Sequence, residues 1–222
     1  MGLLPASTMT FDEVRRATQR DEICREPRRL LQEHAILLSG GHFDLDGRCS
    51  TDYMNFHAIL DTPFLITQLA GCLIDLSVAA NDADVIAGPL TGGAVLAFTI
   101  AGILSGRSKR GTSYKRFVPL HPDGNEYFIK PHYAALLPGK RVWLVDDVLR
   151  TGNTLAWCAA KIDEAGGSLI ATSVILQNVR GVVIRDRALN GVSHDHIDKF
   201  SATSVPRNQC PQCAAGVDFT KF

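Results

Sequence analysis

The sequence predicts an α/β fold, a doubly wound and largely parallel sheet with a small N-terminal hood, and two observations lead there. From residue 62 onward, short apolar runs alternate with segments of helical spacing, the pattern of strands joined by crossover helices. Two of those runs, 84–87 and 141–146, end in Gly/Thr-rich loops that open into helices. In such sheets, ligands bind beyond the carboxyl ends of the strands, so both loops fall where a site is expected.

Thr10-Phe11-Asp12-Glu13 fits a capping box, which starts a helix running to about Arg25. Pro27 then restarts the chain as a second helix over 28–34. Segments 35–38, 43–45 and 50–56 read as short strands of the hood. Thr62-Pro63 supplies an N-cap and first residue for a helix to about Ala79, with Leu65, Leu69, Cys72, Leu73 and Leu76 facing inward. Strand 84–87, helix 93–105, strands 112–115 and 141–146, helix 153–165 and strand 168–176 complete the series. One domain is expected over 1–222, with helices and hood to residue 60, an α/β core over 61–180, and a C-terminal segment from 181.

A length of 222 residues accommodates a single domain with a substantial core, and a formal charge of zero argues against a general nucleic-acid surface. The longest apolar stretch, 94–104, is too short to span a bilayer, and the N-terminus lacks a charged-then-apolar signal pattern. No membrane partner and a cytoplasmic location are therefore expected. Of the six cysteines, Cys72 and Cys158 lie in apolar helical patterns, whereas Cys24 and Cys49 have no evident mates, and the thiols read as reduced. Cys210 and Cys213 form a lone C-x-x-C. With His194 and His196 upstream they could make a four-ligand zinc site, or the pair is simply a tight Pro-containing turn.

The stretch Val142-Trp143-Leu144-Val145-Asp146-Asp147 is an apolar run that stops at two adjacent carboxylates. Arg150-Thr151-Gly152-Asn153-Thr154 then leads into a helix, whose first amides and positive dipole end suit a phosphate. Gly152 lets the backbone come close, and Thr151 and Thr154 add hydroxyl donors. Asp146 and Asp147 beside that phosphate would accept hydrogen bonds from vicinal sugar hydroxyls, so a phosphorylated ribose satisfies both halves; alternatively the aspartates cap nearby amides. The loop 88–93 either holds a second anion on its amides or is a plain strand-to-helix turn. Arg107, Lys109, Arg110, Lys115 and Arg116 feed a Pro/Gly-containing segment, 117–126, that suits a mobile lid or else a solvated basic face.

The Asp146-Asp147 run with its Thr-Gly loop resembles the phosphoribosyl pyrophosphate (PRPP) loop of type I phosphoribosyltransferases. Gly41-His42-Phe43-Asp44-Leu45-Asp46-Gly47-Arg48 and the following Cys49-Ser50-Thr51-Asp52-Tyr53-Met54-Asn55 are similar to the base-site segment of orotate phosphoribosyltransferases. Gly88-Pro89-Leu90-Thr91-Gly92-Gly93 resembles their pyrophosphate loop, and Cys210-Pro211-Gln212-Cys213 the tail of one branch of them. The resemblance implies the type I phosphoribosyltransferase fold and transfer of ribose 5-phosphate from PRPP to a nucleobase, with release of pyrophosphate. Orotate, giving orotidine 5'-monophosphate in pyrimidine nucleotide synthesis, is the first expectation; another base, or a PRPP-sensing regulator on the same fold, is the alternative.

The same resemblance implies site residues. Asp146 and Asp147 would be catalytic, together with Lys115, Arg116 and His121 on a lid that reaches the partner subunit of a homodimer. PRPP would lie on Val148, Leu149, Arg150, Thr151, Gly152, Asn153 and Thr154, with Thr91, Gly92 and Gly93 on the pyrophosphate side. Mg2+ is expected to ride mainly on PRPP and pyrophosphate oxygens, without dedicated protein ligands. Phe43, Arg48, Tyr53 and Met54 would surround the base. Departures cluster there: segment 43–48 is one residue short, Arg150 replaces a threonine, Gly92 takes the place of a frequent lysine, and Asn178 stands where an arginine is common. Arg150 or Arg180 would then have to hold the orotate carboxylate.

Overall fold

The computed structural model of the chain describes residues 11–34, 36–45, 47–107, 114–124, 126–179, 189, 191–202 and 204–220. The first helix, α1 (Phe11–Glu33), is continuous, with Pro27 inside it. A proline removes the amide that would bond the carbonyl four residues earlier, here that of Ile23. The Cys72 thiol lies 3.8 Å from that Ile23 carbonyl, and the helix runs on through Pro27 where a break was expected. Cys72 also lies 3.9 Å from Cys24, which thereby acquires a mate.

The hood strands are β1 (Leu37–Leu45) and β2 (Arg48–Met54), an antiparallel pair with a register shift between Ser39 and Phe43. After α2 (Pro63–Leu76) comes a parallel series: β3 (Val85–Pro89), α3 (Gly92–Arg107), β4 (Arg116–Asp123), a short return strand β5 (Glu126–Phe128) and α4 (Pro131–Ala134). It continues through β6 (Arg141–Leu149), α5 (Asn153–Glu164), β7 (Ser168–Asn178) and β8 (Ser193–Phe200). The chain then gives β9 (Ser204–Pro206), which joins β2 in a three-stranded hood sheet, and α6 (Pro211–Ala214).

The main sheet has the order β5-β4-β3-β6-β7-β8, parallel except for the β4–β5 hairpin. Its central strands are buried on both faces and sort residues alternately. Ile86, Trp143 and Val145 pack with α1, α2 and α3, whereas Val85, Ala87, Val142 and Leu144 pack with α5 on the other face. Trp143 is fully buried and donates from Nε1 to Ser173 Oγ at 2.9 Å, so its polar atom is satisfied inside the core. The doubly wound architecture expected from the alternation is therefore present.

Three differences from the sequence expectation have physical causes. Residues 112 and 113 of the strand placed at 112–115 lie outside the described residues, and the strand observed runs from Arg116 to Asp123, where Gly124 takes a φ of +60° in the turn to β5. Segment 117–126, read as a lid, is thus largely a hairpin with paired backbone. Strand β8 was not expected because Ser193-His194-Asp195-His196 is too polar for a buried run. It forms as an edge strand covered by α1, from which Arg20 donates to the His196 carbonyl and Arg28 to that of Ile197 at 3.3 Å. Among the described residues no helix is long and apolar enough to cross a membrane.

Candidate active site

The carboxyl ends of β3, β6 and β7 open into a cleft of about 1030 Å³. Two strand-to-helix connections form its base. Gly152 has a φ of +94°, a left-handed conformation that costs an L side chain about 1–2 kcal/mol, and from it α5 starts at Asn153. Residues Val148, Leu149, Arg150, Thr151, Gly152, Asn153 and Thr154 all line the cleft. The first amides of a twelve-residue helix therefore face a concave space with two threonines beside them.

The other connection, 88–93, is jammed against the carboxylates. A Cβ at Gly92 would sit 2.5 Å from Asp147 Oδ2, and one at Gly93 would sit 2.8 Å from Asp146 Oδ1 and 2.6 Å from Pro89 Cδ. At Gly88 the Cβ would meet the Gly93 carbonyl oxygen at 2.2 Å, a backbone atom that cannot rotate aside. Thr91 and Gly92 line the cleft, with Gly93 directly beneath. Gly88→Ala is expected to destabilise by about 1–3 kcal/mol through overpacking, lowering Tm by several degrees at roughly 2–4 °C per kcal/mol for a chain of this size. Gly102→Ala is the control, since nothing lies within 4 Å of its Cβ. It should hold or slightly raise Tm, and equal behaviour of the two variants in a thermal melt would contradict the packing.

Asp146 is 6% exposed and accepts the Asp147 amide on Oδ1 at 2.9 Å. Burial, then the adjacent charge of Asp147, pushes its carboxyl well above the usual range. Asp147 is also raised by burial, opposed by its bond to Asp146, by the Val148 amide and by the charge of Arg150. The pair thus retains a proton to higher pH than exposed aspartates would. Arg150 is half-buried, with its guanidinium carbon 5.8 Å from the centre of the Tyr53 ring.

The expected lid residues stand away from this chain's own cleft. Lys115 Nζ donates to the carbonyls of Asn81 and Ala83 at 2.9 and 2.6 Å, and Arg116 pairs with Val85, the first residue of β3. Both therefore lie at the amino end of the sheet, while Leu120 pairs with Pro89 at the cleft end. Four residues of parallel strand separate those levels, about 13 Å. His121 is nearer the cleft level but does not line it. Its ring stacks on Phe128 at 5.2 Å, and its Nε2 is buried with no hydrogen-bond partner among the described residues.

The base-site residues divide by the pleat of β2. Ser50, Asp52 and Met54 face the cleft, whereas Tyr53 turns to the other side and stacks on Phe43 at 5.6 Å. Phe43 does not line the cleft, and Tyr53 is linked to it through Arg150. Arg48 reaches β9 instead, donating to the Ser204 carbonyl at 2.7 Å and its hydroxyl at 3.0 Å. Arg180 lies outside the described residues. Asn178 does line the cleft, but its amide is occupied by Ala202: Nδ2 donates to the carbonyl at 3.0 Å and Oδ1 accepts the amide at 3.1 Å.

Sequence reasoning missed Ser50, Asp52, Phe200, Ala202, Ser204, Tyr127 and Trp157, all of which line the cleft. The period-two spacing of Ser50, Asp52 and Met54 was a usable signal, whereas Phe200 to Ser204 depend on β8, which was not foreseen. The zinc set was also misassembled. His194 bonds Thr172 Oγ1 at 2.8 Å through Nδ1, and burial holds it down to about 4 and His196 to about 3. Both are half-buried in β8, the strand covered by α1, rather than beside Cys210.

Comparison with known proteins agrees with this geometry. The sequence family described as phosphoribosyl transferase domain matches residues 55–206. An orotate phosphoribosyltransferase of Thermus thermophilus is 26% identical over 196 residues, 88% of this chain and 95% of that protein. The crystal structure of orotate phosphoribosyltransferase from Aeropyrum pernix superposes with a TM-score of 0.62 at 20% identity, covering 78% of this chain and 92% of that one. An adenine phosphoribosyltransferase from Rhodothermus marinus does so at 0.56 and 16%, covering 79% and 99%.

Proposed function

Because the chain belongs to the phosphoribosyl transferase domain family, we propose that it transfers the 5-phosphoribosyl group of PRPP to a nucleobase, orotate foremost, and releases pyrophosphate. The observation that carries this reading is Asp146 and Asp147 near the carboxyl end of β6, next to a helix N-terminus on one side and the 88–93 loop on the other. The amides of residues 152–154, with Thr151 and Thr154, hold the 5-phosphate. Asp146 and Asp147 accept the ribose 2- and 3-hydroxyls and oppose the positive charge that builds on the ring as the anomeric bond breaks. The amides around Thr91 and Gly92 face the departing pyrophosphate.

Charge balance supports the need for a divalent cation. Among the described residues lining the cleft, Arg150 is the cation, so the side chains present cannot neutralise a pyrophosphate. The hard oxygen donors of the cleft fit Mg2+, with Asp146, Asp147 and the Thr91 and Thr151 hydroxyls next to substrate oxygens. When bound, Mg2+ would supply charge neutralisation to the leaving group.

Orotate is favoured by the relatives' identity and by Arg150, whose planar guanidinium can hold a carboxylate with two hydrogen bonds. The test is pyrophosphate release on mixing the protein with PRPP, Mg2+ and, separately, orotate, uracil, adenine and hypoxanthine. Release with orotate in preference to the others, and none without Mg2+, is expected. Preference for adenine would overturn the base and keep the reaction; no release with any base would point to a PRPP-binding regulator.

A further inference from the structure

The hood and the C-terminal segment meet at a cluster that the transfer reaction does not use. His42 comes from β1, Cys49 from β2, Cys210 precedes α6 and Cys213 lies within it. One ligand atom from each falls within 4.8 Å of all the others. The Sγ atoms of Cys49 and Cys213 are 3.4 Å apart, and His42 Nε2 is 3.5 Å from the Sγ of both Cys210 and Cys213. Around a tetrahedral zinc ion, with Zn–S near 2.3 Å and Zn–N near 2.0–2.1 Å, sulfurs stand about 3.8 Å apart and sulfur and nitrogen about 3.6 Å. The two sulfur–nitrogen spacings match those edges, the Cys49–Cys213 spacing is slightly shorter than its edge, and the four ligand atoms, all within 4.8 Å of one another, come from chain segments more than 160 residues apart for the long pairs.

The imidazole is already oriented for such a role. His42 Nδ1 lies 2.9 Å from the Val217 carbonyl, to which it can only donate, so Nε2 carries the lone pair and faces the thiols. Phe219 covers the ring at a centroid distance of 4.3 Å, and His42, Cys49 and Cys210 are each less than 5% exposed. A buried imidazole nitrogen aimed at three thiols, with its other nitrogen fixed by a carbonyl, is the arrangement of a closed structural site with no position open to substrate.

We propose that His42, Cys49, Cys210 and Cys213 bind one structural zinc ion that pins the C-terminal segment to the hood. Three thiolates and one imidazole select a borderline-soft tetrahedral cation over Mg2+ or Ca2+. The consequence reaches the cleft, because Ser50, the residue after Cys49, lines it, and β9 carries Ser204 to the same wall. The ion would set the position of β2, and hence of Ser50, Asp52 and Met54, without taking part in the reaction.

The test is elemental analysis of the full chain purified from zinc-supplemented culture under reducing conditions, with thiol titration in parallel. About one zinc per chain is expected, falling to background in Cys210→Ser and Cys213→Ser and retained in His42→Cys, which restores a four-ligand set. Should the serine variants fail to fold, cobalt substitution of the unaltered chain decides. Intense visible absorption of tetrahedral Co2+ with thiolate charge transfer supports the site, and its absence refutes it. A metal-free protein, iron in place of zinc, zinc that persists in both serine variants, or a disulfide among these cysteines in the reduced preparation would each overturn the proposal.

Discussion

Replacing both carboxylates near the carboxyl end of β6, Asp146→Asn with Asp147→Asn, is expected to lower turnover by about 10²-fold or more while making the free protein more heat-stable at neutral pH. The two effects have one origin. Both groups are raised by burial, Asp146 further by its neighbour's charge, so the folded state favours the protonated forms. A carboxyl whose folded pKa is raised contributes stability that is fully present below the unfolded value near 3.9. That contribution is lost as pH rises through the folded value. At pH 7 the wild type carries this loss and the uncharged amides do not. The Tm advantage of the double variant should therefore be largest near neutrality and shrink toward acid. Steady-state kinetics with thermal melts across that range measure both. Retained activity, or a stability deficit at neutral pH, would contradict the assignment of these residues to chemistry rather than to the core.

Arg150→Ala is expected to lower kcat/KM for orotate about ten- to a hundredfold, the range of a lost bidentate arginine–carboxylate contact worth roughly 1.5–3 kcal/mol. Any residual use of uracil should change less, since uracil has no carboxylate to lose. Arg150→Lys should not restore the wild-type value, because a point ammonium cannot reproduce the planar fork. Arg150 is the cation among the described residues lining the cleft, steadied against Tyr53, while Asn178 is occupied by Ala202. Unchanged orotate kinetics in Arg150→Ala, together with a loss in Arg180→Ala, would move the carboxylate partner to Arg180.

The half of the site that could be read from sequence is the half in which local pattern and function coincide. Residues 142–154 combine an apolar run, paired acids, a Gly/Thr loop and a helix start in one contiguous stretch, and each piece keeps that role in the fold. What failed depends on distant partners. Pro27 reads as a helix break, yet α1 runs through it and packs on α2. Lys115 and Arg116 read as a lid because a basic pair next to Pro and Gly carries no information about which end of a strand it occupies. The polar β8 is stabilised from outside by Arg20 and Arg28 on α1, so its own sequence shows no strand pattern, and the cleft wall from Phe200 to Ser204 was lost with it. Cys49 had no mate along the chain. Its neighbours come from β1 and the C-terminal segment, and only the folded hood brings His42, Cys210 and Cys213 to it.

The central claim is that the tip of β6 and the start of α5 hold a phosphorylated ribose, and a crystal structure of the protein with PRPP and Mg2+ tests it most directly. The account predicts the 5-phosphate on the amides of residues 152–154, the ribose hydroxyls within hydrogen-bond distance of Asp146 and Asp147, and the pyrophosphate against Thr91 and Gly92. PRPP bound at the amino end of the sheet beside Lys115 and Arg116, or a cleft that stays empty at saturating PRPP and Mg2+, would contradict it.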